Sequence, residues 1–343
     1  MKILVTADPE IPVPPIHYGG VQRLVDTLII KLKEKGHTIA LVAHRESTSP
    51  VDKFFPFPGV ESHNKIDILR NTLTLRKAVQ KFKPDVIHSF SRLMYLLPFL
   101  SLPIPKIISY GRNPTSFPVH WGAKLAGNSL VFAGCSEYIS RIGQSAGGNW
   151  HTVYNFVDIE KFTFQPTVAP DAPLVFLSRV EPIKGAHTAI AAAKRTGRRL
   201  IIAGNYSDNG EEGRYWREEI VPHLGRDGIE YFGSVNDAQK NELLGQAAAM
   251  IVPIEWEEPF GIVFAEALIC GTPVISCPRG ALPEIIRHGV DGYLVNNLSE
   301  AVAAVEQLAN INRHNCRQRV EQCFSASAIV EQYEKLYQSL LSK

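Results

Sequence analysis

Between Glu258 and Glu266 the chain reads Glu-Pro-Phe-Gly-Ile-Val-Phe-Ala-Glu. It follows an apolar run, Ala249-Met-Ile-Val-Pro-Ile254, with the length and composition of a short buried strand. Pro259 suits a first helical position, where its missing N–H would have had no partner anyway. The stretch is therefore expected to be strand, turn and a helix over 258–269, with the free helix amides facing back over the carboxyl end of the strand. Such a helix mouth is a ready anion site. The two glutamates, eight residues apart, would stand about 12 Å apart along a helix axis. That excludes a close acid/base pair. It suits the two ends of one long ligand whose anionic middle lies at the mouth. On spacing alone, an ordinary amphipathic helix with one surface and one N-terminal Glu fits equally well.

A second group carries positive charge. Arg179 and Lys184 directly follow the apolar run 174–178, and Gly185 opens the next helical stretch. Two cations in one strand-end loop suit a diphosphate, with Arg gripping two oxygens and Lys acting as a point charge. The competing reading is a surface ion-pair cluster with Glu181. A third group, Gly19-Gly20, closes a four-proline loop from Asp8 and precedes helical periodicity over 21–35. These glycines would let a phosphate or another backbone approach, although the loop is not a GxGxxG fingerprint. His88 ends a strand, either in a ligand cleft or as a strand-end cap. The sequence has no pair of aspartates two apart and no His/Asp/Glu cluster at metal spacing. Phosphate charge is thus expected to be met by Arg179, Lys184 and backbone N–H groups, with no metal. GxSxG, GKS/GKT and HExxH are absent.

The elements that must position these residues alternate. Strands are expected at 2–6, 38–43, 85–90, 106–110, 129–133 and 151–154, with helices at 21–35, 66–82 and 137–145. The apolar segment 95–102 reads as a short buried helix. A proline-rich stretch, 162–173, reads as a linker. Strands then recur near 174–178, 200–203, 229–232, 250–253, 274–276 and 292–295, with helices near 184–195, 212–224, 237–247, 258–269, 301–310 and 325–341. The fold class is α/β, two doubly wound domains with ligands at the strand carboxyl ends. The last helix has its own apolar stripe and is expected to cross back onto the first domain.

Composition agrees. At 343 residues the chain exceeds one usual core, and 45% hydrophobic with 20% charged residues is a globular balance. No apolar run is long enough to span a membrane, and Met1–Thr6 reads as a first strand rather than a signal peptide. Five cysteines without a CxxC pair suggest buried thiols and a reducing cytoplasm. The net charge of +2 hides an asymmetry: through Val157 there are 18 Lys+Arg against 10 Asp+Glu. A basic half suggests an acidic partner or peripheral contact with an anionic membrane surface. The plainer alternative is a solvated helix face. No aromatic-interleaved basic run suggests nucleic acid.

With these residues assembled, the chain resembles the retaining GT-B glycosyltransferases of family 4 (glycosyl transferases group 1). The resemblance is carried by Gly19-Gly20, Arg179-Val-Glu-Pro-Ile-Lys184-Gly185, Phe232-Gly-Ser-Val235, Glu258–Glu266 and Gly271-Thr-Pro-Val-Ile-Ser, with Gly280-Ala-Leu-Pro-Glu284 beyond it. It implies two Rossmann-like domains facing a central cleft. Residues 1–160 form the acceptor side, with 326–343 packed back on it, and 161–325 form the nucleotide-sugar side. Arg179 and Lys184 would hold the donor diphosphate, Glu266 the ribose and Glu258 the sugar hydroxyls. Gly261, Ile262 and Val263 would offer amides, Gly19 and Gly20 would meet the diphosphate from across the cleft, and the loop from Val235 would take the base. His88 would serve in the acceptor cleft.

The implied reaction moves a sugar from a nucleoside-diphosphate-sugar to an acceptor hydroxyl with retained configuration and no metal or other cofactor. UDP is the first expectation for the base, ahead of GDP or ADP. The acceptor is left open among a glycan, a lipid-linked molecule and a small molecule. Three positions depart from the family pattern. Gly111 stands where a histidine is common, Phe90 stands where a second histidine follows His88, and Phe156 replaces a usual glycine. The rivals are a sugar-nucleotide epimerase on the same scaffold and a sugar-nucleotide-binding protein without transfer.

Overall fold

The structure, a computed structural model, describes residues 1–16 and 19–342. His17, Tyr18 and Lys343 lie outside the described residues. The chain forms two compact units, residues 1–156 with 326–343, and residues 157–325.

In the first unit, β1 (Lys2–Thr6) leads through the proline-rich loop to α1 (Gly20–Glu34), then β2 (Thr38–His44), β3 (Lys53–Phe57) and α2 (Lys65–Phe82). There follow β4 (Val86–Ser89), a 3-10 helix at Leu93–Phe99, β5 (Lys106–Tyr110), α3 (Ser116–Ala126), β6 (Leu130–Gly134), α4 (Glu137–Ser145) and β7 (Asn149–Thr152). The sheet is parallel in the order β3-β2-β1-β4-β5-β6-β7. Right-handed crossovers place α1 on one face and α2, the 3-10 helix and α3 on the other. Central strands such as β2 are buried nearly throughout (Ile39 to Ala43), as parallel strands covered on both faces must be.

In the second unit, β8 (Leu174–Leu177), α5 (Ala186–Thr196), β9 (Leu200–Ala203), α6 (Gly210–Tyr215), β10 (Ile229–Gly233) and α7 (Asp237–Gln246) are followed by β11 (Ala249–Val252) and α8 (Ile262–Ile269). Next come β12 (Val274–Ser276), α9 (Leu282–Ile285), β13 (Gly292–Leu294), α10 (Leu298–Glu306) and α11 (Arg313–Cys323). The parallel order is β10-β9-β8-β11-β12-β13, so the strand order reverses between β8 and β11. Ligands of doubly wound sheets lie at the carboxyl edge of such a switch point. The chain then returns to the first unit as α12 (Ala326–Leu341), which packs beside α1.

Several expectations are corrected. The helix expected from Glu258 begins only at Ile262, so Pro259 is not its first residue. The Glu258 carbonyl instead accepts the N–H of Ala281 at 2.8 Å, which ties it to the loop after β12. The helix expected at 95–102 is a 3-10 helix over Leu93–Phe99 that contains Pro98, with Leu97 exposed. Edge strand β3 was not anticipated, because Pro56 breaks the strand pattern; at a sheet edge it is tolerated. Helix α3 was hidden by Pro118 and Gly122. Helix α11 was hidden by polarity, since it buries only Arg313, Cys316 and Val320. The stretch 162–173 is pinned to the second unit: the Gln165 N–H reaches the Cys270 carbonyl at 3.0 Å and the Thr163 N–H reaches Asn241 Oδ1 at 2.9 Å.

Candidate active site

Two strand-end loops flank the switch point of the second sheet. The loop after β8 makes a 3-10 turn, Pro182–Lys184, before α5. Gly185 follows at φ 76°, and a Cβ there would stand 2.1 Å from the Pro253 carbonyl oxygen. Only glycine lets the two loops approach this closely. The Glu255 N–H to Ile183 carbonyl bond, 2.8 Å, joins them.

This contact brings three side chains together. The Lys184 ammonium donates to Glu258 Oε2 at 2.8 Å, and the Trp256 indole N–H donates to the same oxygen at 2.9 Å. The ammonium also lies 4.5 Å from the centroid of the Trp256 ring, a cation–π contact that steadies it. Lys184 and Glu258 are 10% and 12% exposed at the side chain, so the charges are largely withdrawn from water but still reachable. The Glu258 side chain runs beside Gly261, where a Cβ would meet its Cγ at 3.1 Å. Gly261, at φ 82°, precedes α8 and supplies no side-chain cap to it. The first amides of α8, at half-buried Ile262 and Val263, therefore open beside the Glu258–Lys184 pair. A cation, a carboxylate, an indole and a helix mouth share one strand edge. Chemically, the first and last of these suit a phosphate group, and the carboxylate suits hydroxyl donors.

Glu266, the fifth residue of α8, is held separately: Lys240 of α7 donates to it at 2.5 Å, and both side chains are about as shielded as the first pair. Each glutamate thus has its own lysine. Arg179 is half-exposed and pairs with Glu181; no contact joins it to Lys184. Val235 is half-buried in the loop between β10 and α7, next to Asn236, which caps α7 reciprocally with Gln239. Among the described residues no group of three His, Cys, Asp or Glu stands together as metal ligands would.

Sequence reasoning missed Trp256, Lys240 and the part played by Gly280. Trp256 lies only two residues before Glu258, and its aromatic type beside a carboxylate was the available signal. A Cβ on Gly280 would lie 2.2 Å from the Glu258 carbonyl oxygen. Lys240 carries no local signal.

In the first unit, Gly19 and Gly20 lie at the start of α1, beyond the carboxyl end of β1. A Cβ on Gly19 would come within 2.7 Å of Pro15 Cβ. His88, expected in an acceptor cleft or as a strand-end cap, is fully buried. Its Nδ1 is 2.7 Å from the Tyr337 hydroxyl and its Nε2 is 2.8 Å from Ser109 Oγ, which in turn is 3.0 Å from the Tyr333 hydroxyl. The ring also packs against Phe90 at a centroid distance of 4.3 Å. Burial holds its imidazole down at about 3. The residue fastens α12 to β4 and β5, and a family-like position in the sequence did not reveal that α12 would cover it.

Comparison with known proteins agrees with this geometry. The model for glycosyl transferases group 1 matches residues 158–322, and that for glycosyltransferase family 4 matches residues 18–161. The D-inositol 3-phosphate glycosyltransferase of Mycobacterium leprae (strain Br4923) is 31% identical over 142 residues, covering 40% of this chain and 33% of that protein. The chain thus matches about a third of the length of that curated relative. Among solved structures, AviGT4, a glycosyltransferase involved in avilamycin A biosynthesis, superposes with a TM-score of 0.74 at 24% identity, over 99% of this chain and 98% of that one. Anabaena Alr3699/HepE, in complex with UDP and glucose, does so with a TM-score of 0.75 at 19% identity, over 99% and 100%. Two Rossmann-like sheets of GT-B type, matched by these two family models together over residues 18–322, make the chain a member of the group 1 glycosyltransferases.

Proposed function

We propose that this glycosyltransferase moves a hexose-like sugar from a nucleoside diphosphate, UDP first among the candidates, to an acceptor hydroxyl with retained anomeric configuration. The observation that supports it most is the Lys184–Glu258–Trp256 cluster beside the uncapped start of α8 at the switch point of the second sheet. In this reading a donor phosphate takes Lys184 as a partner and lies against the α8 amides, which stabilise the charge that develops on the leaving diphosphate. Glu258, released from part of its ion pair, accepts from sugar hydroxyls, and Trp256 keeps its carboxylate oriented. Glu266, positioned by Lys240, takes the ribose hydroxyls. Arg179 contributes a second, more mobile cation once it leaves Glu181, and the loop at Val235 borders the base. The site uses cationic side chains and amides for the diphosphate, so no metal is assigned to it. The acceptor belongs to the first unit, a glycan, a lipid-linked molecule or a small molecule.

A thermal-shift series with UDP-, GDP- and ADP-sugars tests the donor. One base should stabilise the protein in proportion to the logarithm of ligand concentration. Lys184→Ala and Glu258→Ala should each lower kcat/KM by about a hundredfold or more. Wild-type rates in either variant would overturn the assignment. Turnover of the donor with no acceptor present, giving an altered sugar nucleotide, would replace transfer by epimerisation.

A further inference from the structure

The outer surface of one helical layer in the first unit is unusually apolar. Helix α2 buries Asn71, Leu75, Ala78, Val79 and Phe82 against the sheet. On its opposite side Ile66, Leu69 and Leu73 are 60%, 61% and 55% exposed, and their three- and four-residue spacing puts them on one stripe. Helix α3 repeats the pattern: Phe117, Trp121 and Leu125 are four residues apart and all exposed. The 3-10 helix touches both α2 and α3 and adds Met94 and Leu97 to the exposed set. Scattered apolar residues on a surface need no explanation, but a contiguous face of large ones marks an interaction site.

The charge around this face selects the partner. From Lys65 to Leu125 there are 10 Lys+Arg and 2 Asp+Glu, while the rest of the chain through Val157 has 8 of each. The whole positive excess of the N-terminal half therefore falls in the segment that carries this layer, with Lys106 alone among these cations fully buried, in β5. Both acids are turned to backbone groups: Asp67 accepts the N–H groups of Val60 and Glu61, and Asp85 accepts that of Lys2. On α2 the exposed cations Arg70, Arg76 and Lys77 flank the aliphatic stripe. On α3 the Lys124 ammonium sits 5.0 Å from the Trp121 ring centroid. Aliphatic and aromatic side chains rimmed by Lys and Arg are the chemistry of an element lying in the headgroup region of a bilayer. No described helix is long and apolar enough to cross one, so the contact is with the surface. Both helices run back from the carboxyl edge of the parallel sheet, so Ile66 and Phe117, in their first turns, border the edge where ligands of such sheets lie.

We propose that the outer face of α2, the 3-10 helix and α3 seats the protein on a bilayer surface containing anionic lipid. This goes beyond the transfer reaction, and its test needs no turnover. The full chain should co-sediment with phosphatidylcholine vesicles carrying about 30 mol% phosphatidylglycerol. Binding should weaken at least about tenfold on phosphatidylcholine alone or in about 0.5 M salt. Tryptophan emission should shift to the blue on binding, and Trp121→Phe should abolish that shift. The double variant Leu69→Glu/Phe117→Glu should lose binding by about tenfold or more and keep its thermal midpoint, since both side chains are exposed. Its donor-induced thermal shift should also be unchanged, which separates failure here from failure of the transferase reading. Wild-type protein left in the supernatant at every lipid composition would overturn the proposal. So would equal binding by the double variant, or a solution dimer that the same substitutions convert to monomer.

Discussion

At the scale of single residues, His88 and Lys184 show how the surroundings set a side chain's role. Both end or follow a strand at a switch point, yet one is sealed under α12 and the other faces a helix mouth. His88 is neutral in the folded protein, because burial lowers its pKa to about 3 from the usual 6.5. The unfolded chain binds the proton at the ordinary value. Between these limits the unfolded state therefore carries more protons, and stability rises with pH through the window and is flat above it. His88 should contribute up to about 1.4 kcal/mol per pH unit to that slope. Chemical denaturation of wild type and His88→Gln from pH 4 to 7 would measure it. The variant's slope should be shallower by about one proton, and equal slopes would show that His88 does not carry the effect.

At the scale of elements, the site depends on how three strand-end loops are tied together. Glu258 lies in a loop rather than a helix, and its backbone is fixed from outside by Ala281, whose N–H bonds its carbonyl, and by the close passage of Gly280. Gly280 is at φ 59°, and a Cβ there would come within 2.4 Å of the Glu258 nitrogen as well. Gly280→Ala should therefore displace the Glu258 loop. The expected cost is about 1–3 kcal/mol in stability and at least about tenfold in kcat/KM. Kinetics and unfolding of the purified variant would report both, and unchanged values would mean that the loop tolerates the methyl group. The Glu258–Lys184 bond spans 74 residues, which explains why the sequence suggested both residues but did not pair them.

At the scale of the whole molecule, the chain leaves the first unit after Phe156 and re-enters it at Ala326. The first unit is therefore discontinuous in sequence. Helix α12 brings it Tyr333, Tyr337, Leu336 and Leu340, all buried, and Glu334, which bonds His37 at 2.7 Å and Lys35 at 2.8 Å. Uncovering those side chains costs about 2 kcal/mol for each large apolar group. Removal of residues 326–343 should abolish the cooperative melting of the first unit and leave that of the second. The second keeps its own bridge between Val157 and Ser325 and the buried Arg313, which donates to the carbonyls of Gln165, Gly245 and Ala247. Calorimetry on the truncated chain, resolved into its transitions, checks this; an unaltered first transition would show that α12 is dispensable.

The sequence by itself determined the α/β alternation, the two-sheet organisation, the strand-end loop holding Arg179 and Lys184, and the strand-turn-helix stretch that carries Glu258 and Glu266. These follow from short-range periodicity and from glycine and proline punctuation, which act over a few residues. Only the tertiary structure decided which lysine faces which glutamate, that α8 starts at Ile262, that His88 lies beneath a helix 249 residues away in sequence, and that exposed cations such as Arg70, Arg76 and Lys77 flank the exposed apolar side chains of α2. Those outcomes depend on contacts between segments remote in the chain, where packing and hydrogen-bond satisfaction override local preference.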